Sequence, residues 1–213
     1  MTTYANRGMT LESYIEYSNV RYRAAGLAIV EKQNTKFIPL WDHKKKQIRS
    51  CKVEEKATVD YLGRFRNIPV AIEAKNTNTD RISFSVVQDH QAVFLDDFIG
   101  EYGLGFGAVL VSFKMERFFL VPWQFWAVAR DLWNNKNTKG TKETVIMYGM
   151  TWTTNGMASV RAEDLLPEWE IKQNNKYGLD YLSKIDEYVQ PHYRKVDARA
   201  GEYSNQDLMM SAT

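Results

Sequence analysis

Leu11, Tyr14, Ile15, Ser18, Tyr22 and Ala25 recur at helical spacing, with Glu12, Glu16, Asn19 and Arg23 on the other side. Thr10 suits the N-cap of this helix, and Gly26 suits the left-handed position that closes it. The short β-branched run at 27–31 reads as a strand. Residues 32–56 have no sustained period and few buried-type residues (Phe37, Ile38, Leu40, Trp41, Ile48 and Val53), so the stretch reads as an extended projection. Two strands follow at 57–62 and 68–75, with Gly63, Arg64, Arg66 and Asn67 as turn residues between them. Further on, the pattern predicts a strand at 82–87 and a helix at 90–99 ended by Gly100 and Gly103. It then gives a buried strand around Ala108-Val109-Leu110-Val111, another at 118–121, and a helix led by Pro122 through Asp131. A polar loop at 134–142, a strand at 144–148 and a short amphipathic helix at 179–188 complete the ordered part, and a mobile tail is expected from 191 onward. Strands alternating with helices give an α/β domain with a central mixed sheet, spanning 1–190 as one unit.

The chemistry concentrates around the second predicted hairpin. On a strand at 68–75, alternation points Ile72 and Ala74 to one face and Ala71, Glu73 and Lys75 to the other. If the turn returns Asp60 to the side of Glu73, two carboxylates and an ammonium share one point, which suits a divalent cation and a phosphate. Glu-x-Lys on a strand also occurs as an ordinary solvated face. The polar cluster Gln88-Asp89-His90-Gln91 shortly downstream adds weight to the first reading.

Composition narrows the options. The 213 residues are 44% hydrophobic and 25% charged, without a run long enough to span a membrane or an apolar leader at the N-terminus. One cysteine, Cys51, precludes an internal disulfide and fits a cytoplasmic setting. Three scattered histidines, His43, His90 and His192, argue against a Cys/His zinc site, so a metal here is an oxygen-ligated Mg²⁺ or Mn²⁺. The net charge of +2 hides an asymmetry: residues 32–56 hold eight Lys/Arg against three Asp/Glu, a formal +5, which leaves about −3 elsewhere. Such a run is often only a solvated face, but its position beside the candidate site suits phosphate binding.

Asn6-Arg7-Gly8-Met9, Leu11-Glu12, Thr58-x-Asp60-Tyr61, Glu73-Ala74-Lys75, Ser83-Phe84 and Asp89-His90-Gln91 stand in the order found in RecU-type Holliday-junction resolvases. These are restriction-endonuclease-like nucleases with an Asp…(Asp/Glu)-x-Lys site. The resemblance runs from about residue 6 to about 188. It departs from the family at Ser85, in a Glu73–Gln91 interval one residue short, in the loop at 134–142 and in the tail, divergence that suits a phage-encoded member.

The resemblance implies a Mg²⁺-dependent endonuclease, with Mn²⁺ as a substitute, that resolves four-way junctions by paired symmetric nicks leaving 5′-phosphate ends. Asp60, Glu73 and Lys75 would be catalytic, and Thr58, Asp60, Glu73 and Gln91 would hold the metal. Glu12 is either an outer-shell acid or a residue favoured by the helix dipole. Arg7 is either a phosphate contact or a solvated arginine, and His90 is structural or DNA-adjacent. The projection at 32–56 corresponds to a stalk that enters the junction, with Lys44, Lys45, Lys46 and Arg49 on its phosphates. The resemblance further implies a homodimer, working beside recombinase or branch-migration proteins. A related nuclease for other branched or duplex DNA, and a junction-binding modulator with weak catalysis, are the alternatives.

Overall fold

A computed structural model describes residues 10–34, 36–55, 57–100 and 105–188. Helix α1 (Leu11–Ala24) starts where the sequence indicates, the Thr10 side chain accepting the Ser13 N–H at 3.3 Å. It buries Leu11, Ile15, Ser18 and Tyr22. The chain then forms β1 (Ala28–Lys32), a hairpin of β2 (Lys36–Asp42) and β3 (Gln47–Glu55), and a second hairpin of β4 (Tyr61–Phe65) and β5 (Ile68–Thr77). After β6 (Arg81–Ser83) come α2 (Asp89–Ile99), β7 (Phe106–Phe113), β8 (Arg117–Pro122) and α3 (Trp123–Asn134). Short strands β9 (Thr144–Met147), β10 (Met150–Thr153), β11 (Ser159–Arg161) and β12 (Glu170–Ile171) follow, and residues 183–188 are helical.

Six strands make the central sheet in the order β1-β4-β5-β7-β8-β12. β5 and β7 are its one parallel pair, joined by a crossover through α2. All eight residues of β7 are buried, as expected of a strand covered on both faces. A Cβ on Gly107 would press against Leu95 and Ile99 of α2, which places Gly107, Val109 and Val111 on the α2 face. Phe118 of β8, opposite Ser112, meets Tyr14 of α1 on the other face. Trp123 Nε1 of α3 donates to Asp96 of α2 at 2.6 Å. The closing segment ties back to α1: the Tyr22 hydroxyl donates to Asp180 at 2.7 Å and accepts the Leu182 N–H at 3.2 Å. The result is the mixed, helix-flanked sheet of a restriction-endonuclease-like core.

Several expectations need correction. Gly63 is not a turn residue but the middle of β4. A Cβ there would lie 2.0 Å from the Ile29 carbonyl oxygen of β1, so only glycine lets the two strands meet. The turn falls at Arg66 and Asn67, with Arg66 in the left-handed region at φ 52°. The strand expected at 82–87 stops at Ser83, whose hydroxyl accepts the Ser85 N–H and starts a single 3₁₀ turn, Phe84–Val86. The helix after Pro122 runs three residues past Asp131 to Asn134. The projection is a hairpin, β2–β3, whose register shifts at Lys36/Phe37 and at Leu40/Trp41 and which forms a two-stranded sheet of its own among the described residues. The tail from 191 and Arg7 lie outside the described residues.

Candidate functional site

The register of β4 against β5 builds the site. Tyr61 pairs with Ile72, so the next step of the ladder brings Asp60 beside Glu73. Each carboxylate is fixed by the other segment's backbone. The Asp60 N–H donates to Glu73 Oε2 at 3.2 Å, and the Ala74 N–H donates to Asp60 Oδ2 at 2.8 Å. Parallel pairing of Glu73 with Val109 and of Lys75 with Val111 turns both side chains toward α2. Lys75 Nζ reaches Glu73 Oε1 at 2.5 Å. From α2, Gln91 Nε2 donates to the same oxygen at 2.6 Å. Gln91 is itself held because its Oε1 accepts the Gln88 N–H at 3.0 Å, at the N-terminus of the helix.

Glu73 is 0% exposed, although alternation alone reads its face as the polar one. The face opposite α1 is covered by α2, so both sides of β5 are interior. Burial, and then the negative charge of Asp60, push the Glu73 pKa up to about 7, with Lys75 pulling the other way. Two adjoining carboxylates in a dry setting call for positive charge, and one ammonium offsets only part of it. The Asp60 and Glu73 carboxyl groups approach each other closely enough to share a proton. These are hard oxygen donors of the kind Mg²⁺ takes while keeping several waters. No group of three or more His, Cys, Asp or Glu suited to a metal occurs among the described residues. A cation here would therefore use two carboxylates, neutral oxygens and water, and the residues fit that arrangement.

Thr58 is half-buried in the bend at 58–60 that leads to Asp60. Gln91 turns its amide nitrogen, not its oxygen, to Glu73. Glu12 is on the other side of the sheet. Its Oε2 takes Lys32 Nζ at 2.8 Å, and Glu16 takes the same ammonium at 3.3 Å. Lys32 pairs with Tyr61 across the sheet edge. Burial, and then the carboxylates of Glu16, Glu12 and Asp60, raise the pKa of the Tyr61 hydroxyl. His90 is exposed in the first turn of α2. Lys44, Lys45, Lys46 and Arg49 are exposed on the β2–β3 hairpin and are not part of this cluster. Two contributors escape a reading of side chains: the backbone N–H groups of Asp60 and Ala74. Gln88, part of the polar cluster at 88–91, contributes through its own N–H, and its spacing three residues before Gln91 is a signal for a helix start.

The model of the Recombination protein U (RecU) family matches residues 6–187. The chain belongs to the RecU family. Among curated relatives, the Holliday junction resolvase RecU of Lactobacillus delbrueckii subsp. bulgaricus is 29% identical over 194 residues, 88% of this chain and 82% of that one. The Holliday junction resolvase RecU of Geobacillus thermodenitrificans is 31% identical over 189 residues, 86% and 81% of the two chains. The match to the RecU family spans α1, both hairpins and the closing segment, so the Asp60–Glu73–Lys75 cluster lies wholly inside it.

Proposed function

We propose that the chain is a Mg²⁺-dependent endonuclease that resolves four-way DNA junctions, as a homodimer, by paired symmetric nicks leaving 5′-phosphate ends. The observation that carries this reading is the reciprocal lock between Asp60 and Glu73, with Lys75 on the same carboxylate. Its support from similarity is the name shared by the relatives, Holliday junction resolvase RecU.

Asp60 and Glu73, with an oxygen from Thr58, would hold the ion, for which Mn²⁺ can substitute; the Gln91 oxygen, expected among the ligands, instead accepts the Gln88 N–H. When bound, the ion lowers the pKa of coordinated water and polarises the phosphate. Glu73 must give up its proton to serve as a ligand, and its raised pKa sets the acid limit of the site. Lys75, paired with that carboxylate, would offset charge building on the nonbridging phosphate oxygens or orient the attacking water. Gln91 keeps Glu73 in one rotamer. A two-fold dimer would present two such sites to opposing strands of a two-fold junction.

The test compares cleavage of a four-way junction, a flap and a linear duplex in Mg²⁺, using wild type and Asp60→Asn. Wild type should favour the junction. Asp60→Asn should lose at least about 100-fold in cleavage, while binding the junction normally in chelator. Equal rates on all three DNAs would replace the reading with a less selective nuclease. No cleavage in either Mg²⁺ or Mn²⁺ would leave a junction-binding modulator.

A further inference from the structure

Trp123, Trp126 and Arg130 stand at positions i, i+3 and i+7 of α3, on one stripe of the helix, and each donates to the stretch that carries α2. Trp123 Nε1 reaches Asp96 within α2, and Trp126 Nε1 reaches the Phe84 carbonyl at 3.1 Å, in the 3₁₀ turn before it. Arg130 Nε reaches the Val87 carbonyl at 3.4 Å, and a second guanidinium nitrogen pairs with Asp89. The third nitrogen is 3.4 Å from Asp131. A buried indole takes an acceptor wherever it lies, so the two tryptophan bonds alone decide nothing. Arg130 is different, because its side chain is only 11% exposed while that of its partner Asp89 is 95% exposed. An ordinary surface ion pair leaves both side chains in water and adds little to stability. Here the cation is drawn inward, onto the residues just before and just after Gln88.

We propose that Arg130 is a positioning residue for DNA cleavage, pinning Val87 and Asp89 so that the Gln91 amide stays on Glu73. The inference rests on the nuclease reading and adds to it a residue that acts through Gln91 rather than on the DNA. Gln88, Asp89 and His90 expose their side chains, so burial does little to hold that turn. Yet the Gln88 N–H fixes the direction of the Gln91 amide, by donating to Gln91 Oε1 at 3.0 Å. The other end of the amide donates to Glu73 Oε1 at 2.6 Å. Two hydrogen bonds in series therefore join the pinned turn to the buried carboxylate. A displacement of about 1 Å at Gln88 is enough to break either bond or to move the acid from its place. Stability of α2 is a poorer reason for the arginine, since the positive end of the helix dipole favours Asp89 in the first turn but opposes a cation.

The experiment follows hydrogen exchange of the Gln91 side-chain amide by NMR in chelator, its signal assigned by its loss in Gln91→Ala. Beside it, single-turnover cleavage of a four-way junction is measured in Mg²⁺. The proteins are wild type, Arg130→Met, Arg130→Lys, Gln91→Ala and the double variant Gln91→Ala/Arg130→Met. In Arg130→Met the Gln91 amide should exchange at least about tenfold faster, with the backbone amides of β7 protected as in wild type. The cleavage rate at saturating junction should fall about tenfold, with junction binding in chelator unchanged. The double variant should cleave no more slowly than Gln91→Ala, because the two residues act in series. Arg130→Lys keeps the charge but cannot span both contacts, so it should fall between wild type and Arg130→Met. It decides the matter if Arg130→Met does not fold. Wild-type exchange at Gln91 in the Arg130 variants would overturn the inference. So would cleavage losses that multiply in the double variant, or exchange that quickens equally in β7. A wild type that cleaves no DNA would overturn the nuclease reading and the role in cleavage with it, whereas the exchange comparison still decides whether Arg130 holds Gln91.

Discussion

Two antiparallel hairpins in this chain use the same backbone device to opposite ends. β2–β3 and β4–β5 each turn through a residue in the left-handed region, Lys46 at φ 50° and Arg66 at φ 52°. β4–β5 lies within the six-stranded sheet, between β1 and β7, and its carboxylates are locked by backbone donors, a lysine and a glutamine. β2–β3 has no third strand among the described residues, and its tip lysines are exposed. Burial makes a charge costly unless every partner is in place, and this fixes geometry tightly enough for chemistry. Exposure lets water carry most of that cost, so the tip charges need no such set of fixed partners.

The contrast breaks most readily at Gly63. Gly63→Ala drives a methyl group into the Ile29 carbonyl and parts β1 from β4. It should cost on the order of 3–5 kcal/mol, read by denaturant unfolding. A cost below about 1 kcal/mol would mean that β1 is not held against the hairpin as described. Next in size is the pH response of the metal-free protein. Glu73 has its pKa raised to about 7 from an ordinary 4.5, so the folded state holds its proton more tightly than the unfolded chain. The resulting stability is complete below about pH 4.5 and is lost as pH rises through about 7. It is on the order of 3 kcal/mol, isolated as the difference in pH dependence between wild type and Glu73→Gln in chelator. Parallel pH curves for the two proteins would show that Glu73 titrates like an exposed acid. The smallest effect belongs to the exposed hairpin. Trp41→Ala, on the exposed face of β2, should move unfolding stability by no more than about 0.5 kcal/mol, read by the same denaturant unfolding.

The grouping of Glu73 with Lys75 is legible because a strand alternates with period two, so the two side chains share a face wherever the strand lies. Thr10 and the buried spacing through Tyr22 likewise identified α1. What could not be read was tertiary. Nothing local distinguishes a glycine that makes a turn from one that admits a neighbouring carbonyl, so the sequence alone reads Gly63 as loop. Glu73 looked like part of a solvated face because covering by α2 depends on a crossover between β5 and β7, thirty or so residues along the chain. The direction of the Gln91 amide depends on a backbone N–H at Gln88 that only the folded helix start presents. The apolar residues of 32–56 are visible in the sequence, but the pairing of Trp41 with Ile48 comes only with the β2–β3 register.

The most direct test of the buried hairpin is to locate a metal in it. Crystals soaked in Mn²⁺ above pH 7, where Glu73 is ionised, should give an anomalous peak between the Asp60 and Glu73 carboxylates, and Asp60→Asn crystals should lose it. A well-ordered pair of carboxylates with no peak between them, or one unchanged in Asp60→Asn, would contradict the assignment of these two acids as the metal site.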